Sequence, residues 1–216
     1  MLRFLWQKRV NFQGEVITTD MSSGNIAAVA ERNIKENLNI KTFLLPSDNP
    51  LLGEKHNSYF DAIVTMATLH HFDNRKKATG ERGRIQALHS FFQNLKKGGR
   101  LVIADPLHNT ITQEYFDAID NPTHCHPDGH PHDFFSENRL LQIVNKIGFR
   151  DVSLEISYVP WHFMDVDEAK HFMHTMHNAQ CSQEESFEIA RNILDFKKIN
   201  GHYELGWELF FLVARK

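Results

Sequence analysis

Cysteine is scarce in this 216-residue chain: Cys125 and Cys181 are the only two, far apart and in no Cys-x-x-Cys pair. That excludes a disulfide framework and the usual zinc-ribbon spacings, and both residues read as free thiols of a reducing compartment. A basic excess is missing as well. The 24 Lys and Arg against 27 Asp and Glu leave a formal charge of −3 with histidine neutral. No cationic surface is therefore available to release counterions from nucleic acid or to hold an acidic membrane. Apolar runs are short, Phe210 to Ala214 being strand-length, against the ~20 residues that a membrane span needs. The residues after Met1 are too few for a signal h-region and carry no cleavage site. The expected setting is cytoplasmic, with no nucleic-acid and no membrane partner. A chain of this length buries about three quarters of its unfolded surface, so one core suffices without disulfides or a structural metal.

What is abundant is histidine, 14 in all, with four between His124 and His132. The hydrophobic pattern alternates between two periods, which points to an α/β architecture. Strands are predicted over 15–19, 42–45, 60–65, 100–104, 152–159 and 207–214. Helices are predicted over 25–37, over 85–95 with Gly98-Gly99 closing it, and over 137–146 between an Ser136 cap and Gly148. Two polar amphipathic helices, roughly 166–178 and 183–197, fill a connection too long for a plain loop and read as a cap. The expected fold is α/β: a Rossmann-like open, mostly parallel sheet with helices on both faces and a small helical cap before the last strand.

In such a sheet ligands bind beyond the carboxyl ends of the strands. The residues there are Asp20, the turn Ser47-Asp48-Asn49, Thr65-Met66, and Asp105-Pro106. An acidic residue closing a strand can accept both hydroxyls of a ribose; read alone, Asp20 serves equally well as the N-cap of the next helix.

The order of four segments adds more. Val16-Ile17-Thr18-Thr19-Asp20-Met21-Ser22, Phe60-Asp61-Ala62-Ile63-Val64, Leu69-His70-His71-Phe72 and Leu95-Lys96-Lys97-Gly98-Gly99-Arg100-Leu101-Val102-Ile103 together resemble the class I S-adenosylmethionine-dependent methyltransferases. Phe134 to Phe149 resembles the penultimate helix of that family and Phe211 to Lys216 its last strand, so the likeness runs along the whole chain, 1–216, as a single methyltransferase-like domain with the cap at about 164–204. The resemblance implies S-adenosylmethionine as cofactor, with Asp20 on the ribose, Met21 on the adenine face, Ser47, Asp48 and Asn49 at the adenine amine, and Thr65 and Met66 along the methionine part. It places His70 and His71 at the substrate side, as catalytic candidates. An oxygen or nitrogen acceptor usually needs a base, and neutral imidazole takes a proton near pH 7. Asp105 and His108 face the same side. A hydrogen-bonded structural histidine is the competing reading for each of the pair.

The family's first strand and its Gly-x-Gly turn, which cradle the methionine carboxylate, have no counterpart here. Residues 2–9 resemble the helix after that turn, so the chain is expected to start downstream of it; alternatively the neighbouring strands close up, or another chain supplies the strand. The acceptor is expected to be a small-molecule substrate, and the assembly a homodimer. The rival from another class is a non-catalytic methyltransferase-like partner protein. His124-Cys125-His126 through His132 offers imidazole and thiolate donors but matches no standard zinc spacing, so no metal ligand is assigned. Trp161-His162-Phe163 reads as an aromatic wall or as core packing under the cap.

Overall fold

The computed structural model describes residues 14–45, 52–72, 80–125 and 133–216. It divides into two compact units, Met1–Lys55 and His56–Lys216.

In the first unit, β1 (Val16–Asp20) pairs in parallel with β2 (Ile40–Leu44), Val16 opposite Ile40 and Asp20 opposite Leu44. The helix α1 (Ser23–Lys35) connects them. Its N-cap is Ser22, whose hydroxyl accepts the Asn25 N–H at 3.2 Å. The Asn33 side chain closes the unit by donating to the Ile40 carbonyl and accepting the Ile40 N–H.

The second unit holds a four-stranded sheet in the order β3 (Phe60–Met66), β4 (Leu95–Asp105), β9 (Glu208–Arg215), β5 (Arg150–Tyr158). β3 and β4 run parallel, whereas β9 lies antiparallel between β4 and β5. The sheet is therefore mixed, and the expectation of a mostly parallel one holds in part: β3, β4 and β5 share a direction, and only β9, which the chain enters from the cap end, runs against them. The helices α2 (Arg82–Asn94) and α4 (Glu137–Ile147) pack on the sheet through Leu88, Leu140 and Val144, against Leu101, Ile103, Phe210 and Leu212. Ser136 caps α4, and Gly148, at φ 112, ends it. These are the positions the sequence marks.

Three elements differ from the sequence reading. The helix expected over 85–95 stops at Asn94, and Leu95–Gly99 already belongs to β4, with Leu95 opposite Phe60. Gly98, at φ 78, donates its N–H to the Lys216 carbonyl, so the two glycines tie the strand to the chain end instead of closing the helix. A further helix, α3 (Ile111–Ile119), is capped by Thr110 and anchored where the Thr112 hydroxyl bridges the backbone of Glu208. Finally, the cap is only partly helical. Beside α5 (Val166–Met176) and α6 (Gln183–Ile193) it contains a three-stranded antiparallel sheet, β6 (Trp161–Phe163), β8 (His202–Leu205) and β7 (Phe196–Ile199), in that order. The helix expected to run to Lys197 ends at Ile193, and Phe196-Lys197 pairs with Glu204-Leu205.

Buried aromatics hold the cap in place: Tyr115 and Phe116 of α3 meet Trp207, Phe163, Met173 and Phe187 in one continuous cluster. Among the described residues no helix is long and apolar enough to cross a membrane.

Candidate active site

One group of chemistry-bearing side chains in the second unit collects at the carboxyl ends of the adjacent parallel strands β3 and β4. β3 ends at Thr65-Met66, and Ala67, at φ 49, turns the chain while donating its N–H to the Ala104 carbonyl at 2.7 Å. The Thr68 hydroxyl bonds the Met66 carbonyl, and one 3₁₀ turn, Leu69–Phe72, follows. Leu69 is the apolar anchor of that turn, fully buried beside Leu88 and Leu107. With Leu69 inward, His70 is carried against the end of β4.

There Asp105 receives it twice. One carboxylate oxygen accepts the His70 backbone N–H at 3.0 Å, and the other lies 2.9 Å from His70 Nδ1. His70 is 4% exposed and Asp105 3%. An ionised carboxylate can only accept, so of the two tautomers of an uncharged imidazole it favours the one with the proton on Nδ1 and the lone pair on Nε2. Phe134 packs its edge on the ring at 5.4 Å and is itself backed by Phe116. The next turn is held down by the His108 N–H bond to the Phe135 carbonyl, which leaves the His108 side chain exposed.

His71 stacks obliquely on His70, with centroids 4.1 Å apart. Burial, and then the neighbouring His70, push its pKa from 6.5 down to about 3. It is therefore neutral at every physiological pH and too weak a base to hold a proton; what it offers is a hydrogen-bonding imidazole face. This has a consequence for stability. Below pH 6.5 the unfolded chain takes up a proton at residue 71 that the folded chain refuses, so stability falls as pH drops from 6.5 towards 3, by up to about 1.4 kcal/mol per pH unit. His71→Gln, which cannot titrate, should remove that slope. Urea unfolding at pH 7 and pH 5 checks it: the wild type should lose about 2 kcal/mol more than the variant over this interval. Equal losses would contradict the assignment.

In the first unit, Asp20 closes β1. Its Oδ1 accepts the Ser22 N–H at 2.8 Å and its Oδ2 an amide hydrogen of Asn25 at 3.1 Å. Both readings of this residue thus have a physical basis: the carboxylate is fastened to the start of α1, yet each oxygen keeps a further lone-pair direction. A vicinal diol presents two donors at the spacing of one carboxylate, so the ribose of a nucleoside cofactor fits it. Met21 beside it is 43% exposed, an apolar surface open to an adenine ring. Ser47, Asp48 and Asn49 lie outside the described residues, as do residues 2–9 and 126–132.

Sequence reasoning placed Asp105 on this side without joining it to His70. The residues are 35 apart in the chain, and only the parallel pairing of β3 with β4 unites them. Phe134 stood out in the sequence only as the start of the segment resembling the penultimate helix, not as a wall of this site.

A sequence model of the family described as methyltransferase domain matches residues 1–154. A search of the curated proteins finds no match. Among solved structures, a provisionally assigned methyltransferase of Bacillus halodurans superposes with a TM-score of 0.62 at 15% identity, covering 99% of this chain and 88% of the other. The YcgJ protein of Bacillus subtilis gives 0.57 at 15% identity, over 94% of this chain and 82% of its own. Phosphoethanolamine N-methyltransferase 2 of Haemonchus contortus gives 0.57 at 14%, over 98% of this chain and 46% of the larger enzyme. At these identities the superpositions establish the fold, and the match over 154 of 216 residues establishes the family. The chain belongs to the methyltransferase-domain family.

Proposed function

We propose that the chain is a cytoplasmic S-adenosylmethionine-dependent methyltransferase whose acceptor is a small molecule, bound at the carboxyl ends of β3 and β4. The observation that carries the acceptor site is the buried Asp105–His70 pair at that end of the sheet. The cofactor is S-adenosylmethionine, and its sulfonium supplies an already activated methyl group. What remains for the protein is positioning and exclusion of water. Asp20 would hold the ribose hydroxyls and Met21 the adenine, and Thr65 and Met66 would line the methionine side. Asp105 would hold His70 in the tautomer whose Nε2 can accept a proton, and His70 would take the acceptor's proton. The cofactor would supply the methyl group, its S–CH₃ bond breaking as the acceptor–CH₃ bond forms, and leave as S-adenosylhomocysteine. His71, held neutral, contributes a hydrogen-bonding face and no charge.

A small acceptor accords with the formal charge of −3, which leaves no cationic groove for nucleic acid. It also accords with the Haemonchus enzyme, which was solved with phosphomonomethylethanolamine and S-adenosylhomocysteine. The test is release of S-adenosylhomocysteine from S-adenosylmethionine across a panel of small amines, phenols and carboxylates. Turnover with a member of the panel, lost in His70→Gln, is the expected result. Turnover that needs a protein or RNA acceptor would overturn the small-molecule reading, and turnover unchanged in His70→Gln would overturn the base.

A further inference from the structure

The cap carries a second cluster of donors, remote in sequence from the β3–β4 site. On the three-stranded sheet, His162 of β6 stands directly opposite Glu204 of β8, and His202 lies two residues before Glu204 on the same face of the strand. His162 Nδ1 is 3.4 Å from Glu204 Oε1, and His202 Nε2 is 3.3 Å from the same oxygen. The imidazole rings are 5.2 Å apart, and one donor atom from each of the three residues falls within 4.8 Å of the others.

These spacings are long for a hydrogen bond between imidazole and carboxylate. The two histidine–glutamate spacings are those of neighbouring ligands on a metal ion. Ligand atoms held about 2.0–2.1 Å from a tetrahedral ion stand roughly 3.3–3.4 Å apart. The scaffold is suited to hold them there. The Asn200-Gly201 turn, with φ 50 and 88, closes the β7–β8 hairpin and sets His202 at its mouth, while the pleat puts alternate residues of β8 on one face.

We propose that His162, His202 and Glu204 form a binding site for a late first-row divalent cation, of which Zn²⁺ is the natural occupant. Two imidazoles and one carboxylate select such ions over Mg²⁺ or Ca²⁺, which prefer oxygen donors. One negative charge against the dication leaves a net charge of +1, and the partial exposure of the group (58% for the His162 side chain, 32% for His202 and 13% for Glu204) gives the ion a way in. The three ligands leave a fourth position open. It faces a cavity of about 400 Å³ bounded by Phe163, Met164, Glu168 and Asn200 together with the two histidines. Glu168 is already engaged, accepting the Met164 N–H at 2.7 Å, so a water molecule or a small incoming anion takes the fourth place. Because the ligands come from two strands, the ion pins β6 to β8, and its binding stabilises the native chain by mass action.

The test is titration of the tag-free protein with ZnCl₂ by calorimetry, with thermal melting as a second readout and CoCl₂ absorption as a probe of coordination. One saturable equivalent in the micromolar range is expected, with a rise in melting temperature and the visible band of a four-coordinate cobalt thiol-free site. His162→Asn/His202→Asn should weaken that equivalent about a hundredfold and abolish the melting shift, and Glu204→Gln should weaken it at least about tenfold. These side chains are surface-facing, and the melting curve of each metal-free variant verifies folding. No binding by the wild type, or an undiminished equivalent in the double variant, would overturn the proposal; the second result would move the metal to the His124–His132 run.

Discussion

Asp20→Ala should bind S-adenosylhomocysteine about a hundredfold more weakly than the wild type. The carboxylate that closes β1 has one lone-pair direction on each oxygen beyond those used by Ser22 and Asn25, and in the proposed pose the cofactor ribose would use both. A hydrogen bond to a charged group contributes roughly 1.5–3 kcal/mol. Losing two of them, offset by water, removes on the order of 3 kcal/mol, and each 1.4 kcal/mol is about a factor of ten in affinity. Alanine also frees the Ser22 N–H and the Asn25 amide, which weakens the start of α1 by about 1 kcal/mol. Asp20→Asn separates the two effects. It keeps an acceptor for Ser22 but loses the charge and one acceptor, so affinity should fall while α1 keeps its start. Calorimetric titration of the three proteins, alongside melting by circular dichroism, provides the comparison. Affinities within threefold of one another would remove the ribose from Asp20.

Asp105→Ala should be the most damaging single substitution at the substrate side. It removes both of the contacts Asp105 makes to His70, at the backbone N–H and at the ring, in a site where both residues are almost wholly buried. Each hydrogen bond to a charged group is worth roughly 1.5–3 kcal/mol, and losing two removes a large fraction of the stability of any single domain. Asp105→Asn is the sharper probe because it preserves volume. The amide can still accept one hydrogen, but its NH₂ group turned towards the ring favours the tautomer with the proton on Nε2, the nitrogen the mechanism needs bare. Turnover should fall about 10²–10⁴-fold in Asp105→Asn, with S-adenosylhomocysteine affinity unchanged, because the pair does not hold the cofactor. Single-turnover rates and the same titration separate chemistry from binding. Normal turnover in a folded Asp105→Asn enzyme would make the pair a structural clamp only.

The strands that end at the site were legible because β-branched and apolar runs, such as Phe60–Thr65 and Arg100–Ala104, are short and bounded by turn residues. Their directions were not. Nothing in Trp207–Ala214 says that it enters the sheet between β4 and β5 and runs backwards; that follows from where the cap delivers the chain. Helix α3 was missed because Ile111, Thr112 and Tyr115 are not strong helix formers. It forms because Thr110 caps it and because Tyr115, Phe116 and Ile119 are buried to the last atom. Helical spacing through Leu88, Phe91, Phe92 and Leu95 carried the reading of α2 one residue into β4, since Leu95 is buried in either geometry.

At the cap the error ran the other way. Asn200-Gly201 is among the strongest short-range hairpin signals a sequence can carry, and it was overlooked in favour of the amphipathic period before it. That hairpin is what sets His202 and Glu204 beside His162. The Asp105–His70 pair shows the same limit of local pattern: each residue was visible as a candidate, but their union depends on two strands lying side by side, and spacing along the chain does not encode it.

Calorimetric titration of the wild-type chain with S-adenosylhomocysteine tests the central claim most directly. The account predicts one site per chain with a micromolar dissociation constant. No detectable heat at millimolar ligand, from protein shown to be folded, would contradict it and leave a methyltransferase fold without its cofactor.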